Sequence, residues 1–163
     1  MKKLIYTLLI IIALTNNSFS AGSSSDNDST PKMSDYTKAK NLIKAAKKYE
    51  KKGKVEKAQK RYAKAQKLLL KSNKKKPLQA DTLNYLGFTT RKLGDYEGGE
   101  EFYLQGLQIE PDHNGINEYL GELYIATNRM DLAKGRLNVL KDCNCKEYNQ
   151  LKEIIEGTKK SKY

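Results

Sequence analysis

The sequence predicts an all-α fold, and three observations support this prediction. Beyond a polar N-terminal part, the chain is rich in Ala, Lys, Leu, Gln and Glu, and no long stretch alternates apolar and polar residues. The chain has only three prolines. Finally, Leu86-Gly87 and Leu120-Gly121 lie 34 residues apart, and a repeat of this length indicates stacked supersecondary units.

Composition narrows the functional classes. The chain has 163 residues, 31 Lys and Arg against 19 Asp and Glu, a net charge of +12 and a mean hydropathy of -0.77. This length allows one domain with a modest core, and the hydropathy excludes a polytopic membrane protein. Two cysteines are too few for a disulfide scaffold or a multi-cysteine metal domain. The positive charge suggests an anionic partner, with nucleic acid as the first candidate.

Residues 1–20 are typical of a secretory signal peptide. Two lysines precede an apolar run at residues 4–14, which is shorter than the roughly 20 residues needed to span a bilayer. Ser18 and Ser20 then stand at the -3 and -1 positions of a cut before Ala21. We expect an exported protein, periplasmic or secreted, with an uncleaved membrane anchor as the alternative. Because exported proteins rarely meet DNA or RNA, nucleic acid becomes a minor hypothesis.

The remaining chain divides by composition. Residues 21–37 are rich in Gly, Ser, Asp and Asn and predict a flexible linker. The predicted domain covers residues 38–158, and residues 159–163 form a tail. Within the domain, we expect three repeats at residues 39–76, 80–113 and 114–142, and a terminal helix at residues 145–157.

The positive charge is concentrated in the first repeat. Residues 38–76 hold 17 basic and two acidic residues, which gives +15, whereas residues 80–135 hold four basic and ten acidic residues, which gives -6. This polarity along the chain favours a bipolar partner or surface over nucleic acid.

The second and third repeats each contain two amphipathic segments joined by a tight turn. Gly94 and Asn128 occupy these turns, and both residue types tolerate the left-handed conformation that closes a helix. The first repeat matches when displaced by 41 residues instead of 34, and the seven additional residues, 71–77, either lengthen its second helix or form a basic loop. The four segments expected in the later repeats are residues 80–93, 96–109, 114–127 and 130–140.

These residues resemble the tetratricopeptide repeat, whose pattern asks for Leu at position 7, small residues at positions 8, 20 and 27, and an aromatic residue at position 24. The resemblance implies a right-handed α-solenoid of about three helix-turn-helix repeats with a C-terminal capping helix. The order of motifs is also similar to that of small exported bacterial members of the family. The second repeat carries the pattern at Leu83, Leu86, Gly87, Gly99, Tyr103, Gly106 and Pro111.

In this family, neighbouring helices approach each other most closely at positions 8, 20 and 27. Eight of the nine corresponding positions hold Gly or Ala. A glycine inside a helix costs about 1 kcal/mol relative to alanine, so several glycines are reasonable only where close packing compensates. The eight residues are Ala46, Ala58, Ala65, Gly87, Gly99, Gly106, Gly121 and Ala133.

The resemblance also implies a concave groove lined by the first helix of each repeat. This groove would be basic at one end, aromatic in the middle and acidic at the far end, and it would hold a peptide or helix with exposed Tyr and Phe as anchors. It lacks the Lys/Asn/Arg clamp with which related domains hold the C-terminus of heat-shock chaperones. The predicted residues are Lys40, Lys44, Lys47, Asn84, Tyr85, Phe88, Arg91, Glu118, Tyr119 and Glu122.

Cys143 and Cys145 leave three interpretations open. They form an intramolecular disulfide that clamps a loop, or a soft-metal site such as one for Cu(I), or they remain free thiols or pair between chains. No Met or His lies near them in the sequence. In an oxidising compartment we favour the intramolecular disulfide.

No residue pattern supports an enzyme. The one histidine, His113, follows Pro111-Asp112 in a turn and is expected to cap a helix, and no phosphate-binding loop is present. We predict a non-catalytic exported scaffold that binds a protein or peptide through its groove without a cofactor. The alternatives are binding of the basic first repeat to an anionic lipid, cell-wall polymer or glycan, and a thiol or metal accessory role for the cysteine pair. The sequence leaves the oligomeric state open.

Overall fold

The structure is a computed structural model that describes residues 33–161. The predicted signal peptide and most of the predicted linker lie outside the described residues, as do the last two residues of the tail. Within residues 33–161 the chain forms seven helices and no strand, which confirms the predicted all-α fold. None of these helices combines the length and the hydropathy needed to span a membrane. The helices are α1 (Asp35–Glu50), α2 (Val55–Lys75), α3 (Ala80–Lys92), α4 (Tyr96–Ile109), α5 (Asn114–Ala126), α6 (Met130–Val139) and α7 (Lys146–Ile155).

The first six helices pair as three consecutive hairpins, α1–α2, α3–α4 and α5–α6, and α7 packs against the last pair. Helix α3 packs against both α1 and α5, whereas no Cα atom of α2, α4 or α6 lies within 8 Å of a Cα atom in either of the other two. The described array therefore curves around the first helices of the hairpins. As a result, α1, α3 and α5 form its inner face, as the solenoid interpretation predicts.

The three hairpin turns share one backbone conformation. Gly53, Gly94 and Asn128 have positive φ values of 67°, 99° and 59°. In each turn the next residue donates its backbone N–H to the carbonyl five residues earlier, at distances of 2.7–3.2 Å. These bonds satisfy carbonyls that a helix end leaves unpaired. The left-handed turns expected at Gly94 and Asn128 are thus present.

The additional residues of the first repeat lengthen α2. This helix has 21 residues, whereas α4 has 14, and it continues to Lys75. Of the two possibilities left by the sequence, the basic loop is therefore wrong for most of the insertion. The extension reaches back to the start of α1, where the Nζ atoms of Lys71 and Lys75 lie 3.4 and 3.0 Å from Asp35 Oδ2.

The small residues of the repeat pattern mark close helix contacts. A Cβ atom added to Gly87 would lie 2.5 Å from the ring of Tyr103, and one added to Gly121 would lie 2.6 Å from Leu151 Cδ2. Tyr103 and its counterpart in the first repeat, Tyr62, are fully buried. The aromatic and small positions of the pattern therefore form the contacts within the hairpins and with α7.

The two ends of the array are capped locally. Helix α1 begins at Asp35, inside the predicted linker, because Ser34 Oγ accepts a hydrogen bond from the Thr37 backbone N–H at 3.1 Å. At the other end, Leu151 and Ile154 of α7 are buried against the last hairpin. Gly157, with φ 73°, follows the helix, as expected from the sequence.

Candidate binding face on α1, α3 and α5

The predicted groove residues all lie on α1, α3 and α5, the helices that form the inner face. Their exposure differs along the face. Lys40 and Lys44 are exposed, and Lys47, Tyr85 and Tyr119 are half-buried. The buried members are Asn84, Phe88, Arg91, Glu118 and Glu122.

The expectation that Phe88 is an exposed anchor is wrong, because only 1% of this residue is exposed. Its ring lies edge-on to Tyr62, with centroids 5.8 Å apart, and 5.1 Å from the ring of Tyr119. Phe88 thus packs between the first and third hairpins. The aromatic surface that remains partly exposed on this face belongs to Tyr36, Tyr85 and Tyr119.

Lys47 connects α1 to α5. Its Nζ donates a hydrogen bond to the Tyr119 hydroxyl at 3.1 Å and lies 4.3 Å from the centroid of the Phe88 ring. Burial raises the pKa of Tyr119, and the nearby Glu118 carboxylate raises it further, so this phenol is neutral near pH 7. The result is a cation held against two aromatic rings.

A buried ion pair connects α3 to α5. Arg91 Nη2 lies 3.7 Å from Glu122 Oε2, and the two side chains are 1% and 0% exposed. Arg91 Nη1 also donates to the backbone carbonyl of Tyr119 at 3.0 Å. The predicted acidic end of the groove is therefore not exposed, because Glu122 is buried beside the guanidinium of Arg91 from the preceding repeat. Buried charges of this kind need specific partners, and they often mark functional sites.

A second polar cluster, absent from the sequence prediction, joins the starts of α1, α3 and α5. His113 Nε2 lies 3.3 Å from Asp81 Oδ1, and its Nδ1 accepts the Ile116 backbone N–H at 3.1 Å, which makes His113 the expected cap of α5. Burial, with Asp81 as a hydrogen-bond partner, raises the pKa of Tyr36. The 32-residue spacing of Asp81 and His113 is the signal that could have suggested this contact.

A pocket of about 360 Å³ opens beside this cluster. It lies between the start of α1, the end of α2 and the start of α3, so it is at the edge of the inner face. Acidic, basic and hydroxyl side chains share its lining, which favours no single ligand class. Its lining includes Ser34, Asp35, Tyr36, Ser72, Lys75, Gln79 and Thr82.

Cys143 and Cys145 are joined by a disulfide between α6 and α7, with an S–S distance of 2.05 Å. Both cysteines are half-buried, and Cys145 is the residue that precedes α7. Within the described residues, no three His, Cys, Asp or Glu side chains converge to form a metal site. The disulfide thus closes the loop that leads into the last helix.

Comparisons with known proteins bear on the fold. No protein-family profile and no curated protein matches the chain. Among solved structures, the type III secretion translocator chaperone SycD of Yersinia enterocolitica matches with a TM-score of 0.52 and 14% identity, over 72% of this chain and 81% of SycD.

Two further structures match less closely. The first TPR of Spaghetti (RPAP3), solved with the HSP90 peptide SRMEEVD, has a TM-score of 0.47 and 20% identity, over 78% of this chain and 98% of its own. An alternative dimer of SycD has a TM-score of 0.44 and 16% identity, and the match covers 77% of this chain and 96% of the SycD chain. With its three hairpins, its 34-residue period and its likeness to SycD, the chain has the fold of tetratricopeptide-repeat proteins.

Proposed function

We propose that the chain is a non-catalytic scaffold that binds a peptide or a helix of a partner protein along the inner face of α1, α3 and α5. The observation that carries this proposal is the grouping of exposed lysines with half-buried tyrosines on that face. The Nζ atom of Lys40 lies 5.2 Å from the centroid of the Tyr36 ring and 5.8 Å from that of Tyr85. Lys44, one helical turn further along α1, is also exposed.

This grouping suits a partner segment that carries an acidic residue next to an apolar one. Lysine ammonium groups attract carboxylates, and tyrosine supplies contact area with little loss of side-chain entropy. Beneath them, the Lys47–Tyr119 hydrogen bond and the Arg91–Glu122 pair tie the three helices together. A rigid face of this kind lowers the entropic cost of binding.

The fold of the neighbour agrees with a binding role. SycD is a type III secretion translocator chaperone, and chaperones act by binding other proteins. At 14% identity the likeness extends to the fold alone.

We further propose that the protein is exported, periplasmic or secreted, on the basis of the pattern in residues 1–20. Mass spectrometry of the protein isolated from its native cells tests this. An N-terminus at Ala21 is the expected result. An N-terminus at Met1 in a cytoplasmic fraction would overturn the proposal.

Capture of partners with three forms of the chain tests the binding role. The forms are the wild type, the Lys40→Gln/Lys44→Gln variant, and a control, Lys134→Gln/Lys141→Gln, which removes the same charge from exposed positions near the other end. Because all four lysines are exposed, neither variant is expected to disturb the core. Capture is carried out at about 0.1 M and about 1 M salt, where the Debye length falls from about 10 to about 3 Å.

The expected result is one protein that the wild type and the control recover at both salt concentrations, and that the Lys40→Gln/Lys44→Gln variant recovers at least tenfold less. Equal recovery by all three forms would place binding elsewhere on the chain. Recovery of polyanions alone, lost at high salt, would also contradict the proposal.

A further inference from the structure

Six exposed lysines form a continuous row on α2, here called the lysine stripe. Their spacing alternates between three and four residues, which places all six on one side of the helix. With a rise of 1.5 Å per residue, the stripe runs for about 26 Å along the helix axis. Its members are Lys57, Lys60, Lys64, Lys67, Lys71 and Lys74.

The stripe points away from the protein. The buried residues of α2 lie on the opposite side of the helix, where they pack in the core of the first two hairpins. The apolar side of α2 is therefore already occupied, and the helix has no apolar face to insert into a membrane. A partner would meet α2 mainly through charge. The buried residues are Ala58, Tyr62, Ala65 and Leu69.

Few acidic groups balance the stripe. Lys60 pairs with Glu56 at 2.7 Å, and Lys71 lies 3.4 Å from Asp35. Among the described residues, the other four stripe lysines have no ion pair. Like charges three or four residues apart destabilise a helix, so the core holds together a face that repels itself. An extended anionic partner would relieve that repulsion.

The composition of the stripe distinguishes between anionic partners. The six stripe positions hold only lysine. Arg61, which lies beside Lys57 and Lys64, stacks on the ring of Tyr49 at 5.0 Å, so the arginine and the aromatic residue that border the stripe are engaged with each other, unlike those of a nucleic-acid site. Leu70 lies next to Lys67 and Lys74 on the helix surface and is 47% exposed. An apolar side chain among lysines suits the headgroup region of a bilayer, where the ammonium groups remain in water, and adds nothing to the binding of a soluble polyanion.

We propose that the lysine stripe docks the protein on an anionic phospholipid bilayer, with α2 lying along the headgroups. This surface is separate from the inner face of α1, α3 and α5, so the two proposals stand independently. Each lysine near an anionic bilayer contributes about 1 kcal/mol, or about a fivefold change in the partition coefficient. Removing three lysines should therefore weaken binding about a hundredfold.

Cosedimentation of the full chain with vesicles tests the proposal. The vesicles are phosphatidylcholine alone, or phosphatidylcholine with about one third phosphatidylglycerol, and the quantity compared is the binding that depends on phosphatidylglycerol. One triple variant changes Lys64, Lys67 and Lys74 to Gln. Glutamine matches lysine in helix propensity, so α2 should remain folded, and circular dichroism checks this.

The matched control changes Lys134, Lys141 and Lys160 to Gln, which removes the same charge from exposed positions outside the stripe. The stripe variant should lose about a hundredfold in phosphatidylglycerol-dependent binding, and the control less than about threefold. Equal losses would show that overall charge, and not the stripe, attracts the protein. No phosphatidylglycerol-dependent binding by the wild type would overturn the proposal directly.

Leu70→Gln separates a bilayer from a soluble polyanion. This variant should bind vesicles several-fold more weakly than the wild type, while its salt elution from immobilised heparin stays unchanged. If Leu70→Gln leaves vesicle binding unchanged as well, the bilayer proposal is wrong. If the wild type is retained on heparin but not bound by vesicles at physiological salt, the stripe serves a soluble polyanion, and the bilayer proposal is again wrong.

Discussion

Gly87 of α3 lies directly against the ring of Tyr103 of α4. A methyl group on Gly87 would stand 2.5 Å from Tyr103 Cε1 and 2.9 Å from the carbonyl oxygen of Gly99. Tyr103 is fully buried, and the carbonyl belongs to helix backbone, so neither neighbour can easily withdraw. This contact sets the separation of the two helices in the second hairpin. Its close packing explains why the repeat accepts a glycine inside a helix.

We predict that Gly87→Ala destabilises the protein by about 1–3 kcal/mol, because the added methyl group overpacks the contact with Tyr103. Alanine is the better helix former by about 1 kcal/mol, so the steric effect must exceed that gain. Urea unfolding followed by circular dichroism measures the change in the free energy of unfolding.

Gly135→Ala is the matched control. Gly135 lies inside α6, is exposed, and has no atom within 4 Å of the position that a Cβ would take. Here helix propensity should act alone and stabilise the protein by about 0.5–1 kcal/mol. If the two substitutions shift stability in the same direction, the packing explanation for Gly87 is wrong.

Sequence reasoning predicted the helical hairpins well because their signals are local. Gly94 and Asn128 mark the turns, and both adopt the left-handed conformation expected of them. The helix bounds agree with the predicted segments to within one residue in the second and third repeats, since the apolar period and the capping residues define them. Helix α4 occupies the predicted residues 96–109.

The burial of the inner face was not predictable in the same way. The repeat pattern shows that Phe88 and Glu122 lie on the first helices of their hairpins, but their depth depends on residues one repeat away. Phe88 packs on Tyr62, and Glu122 meets Arg91. Partners 26 and 31 residues distant leave no local signal in the sequence. The expectations of an exposed phenylalanine and of an exposed acidic end were therefore wrong.

The buried Arg91–Glu122 pair predicts strong coupling between α3 and α5. Arg91→Met should lower the free energy of unfolding by about 3–5 kcal/mol, because it leaves the Glu122 carboxylate buried beside an apolar side chain. Adding Glu122→Gln should cost less than the sum of the single substitutions. Chemical denaturation of the four forms measures the coupling energy.

The pair between Arg129 and Glu100 provides the contrast. Its N–O distances are shorter, at 2.6 and 3.0 Å, but the side chains are 36% and 20% exposed. We expect the same cycle there to give at most about 1 kcal/mol, because water screens the charges. A coupling energy at Arg91–Glu122 no larger than this would contradict the importance assigned to burial.

The Cys143–Cys145 disulfide should contribute little to global stability. It closes a loop between residues only two positions apart, so the loop-closure entropy that it removes from the unfolded chain corresponds to at most about 1.5 kcal/mol. Leu151, which is fully buried against Gly121, should matter more, and Leu151→Ala should cost about 2–5 kcal/mol. Thermal unfolding of the Cys143→Ser/Cys145→Ser variant and of Leu151→Ala compares the two. If the cysteine variant proves the less stable, the disulfide and not the apolar contact holds α7.

The contact between Asp35 and the end of α2 predicts a dependence of stability on pH. A hydrogen bond from Lys75, helped by the charge of Lys71, lowers the pKa of Asp35 below its ordinary value of 3.8, although burial acts in the opposite direction. A carboxylate with a lowered pKa in the folded state stabilises the protein above its ordinary pKa. That contribution disappears as the pH falls through the folded-state pKa.

Asp35→Asn should therefore be less stable than the wild type at pH 7, and the difference should shrink as the pH falls below 3.8 and through the lowered folded-state pKa. Thermal unfolding at several pH values between about 2 and 7 follows this convergence. In a Lys71→Gln/Lys75→Gln background, Asp35→Asn should show almost none of the pH-dependent difference, because the two cations that favour the carboxylate are gone. A difference that stays constant across this pH range would instead assign the effect of the substitution to helix capping or packing at the start of α1, and not to the charge of Asp35.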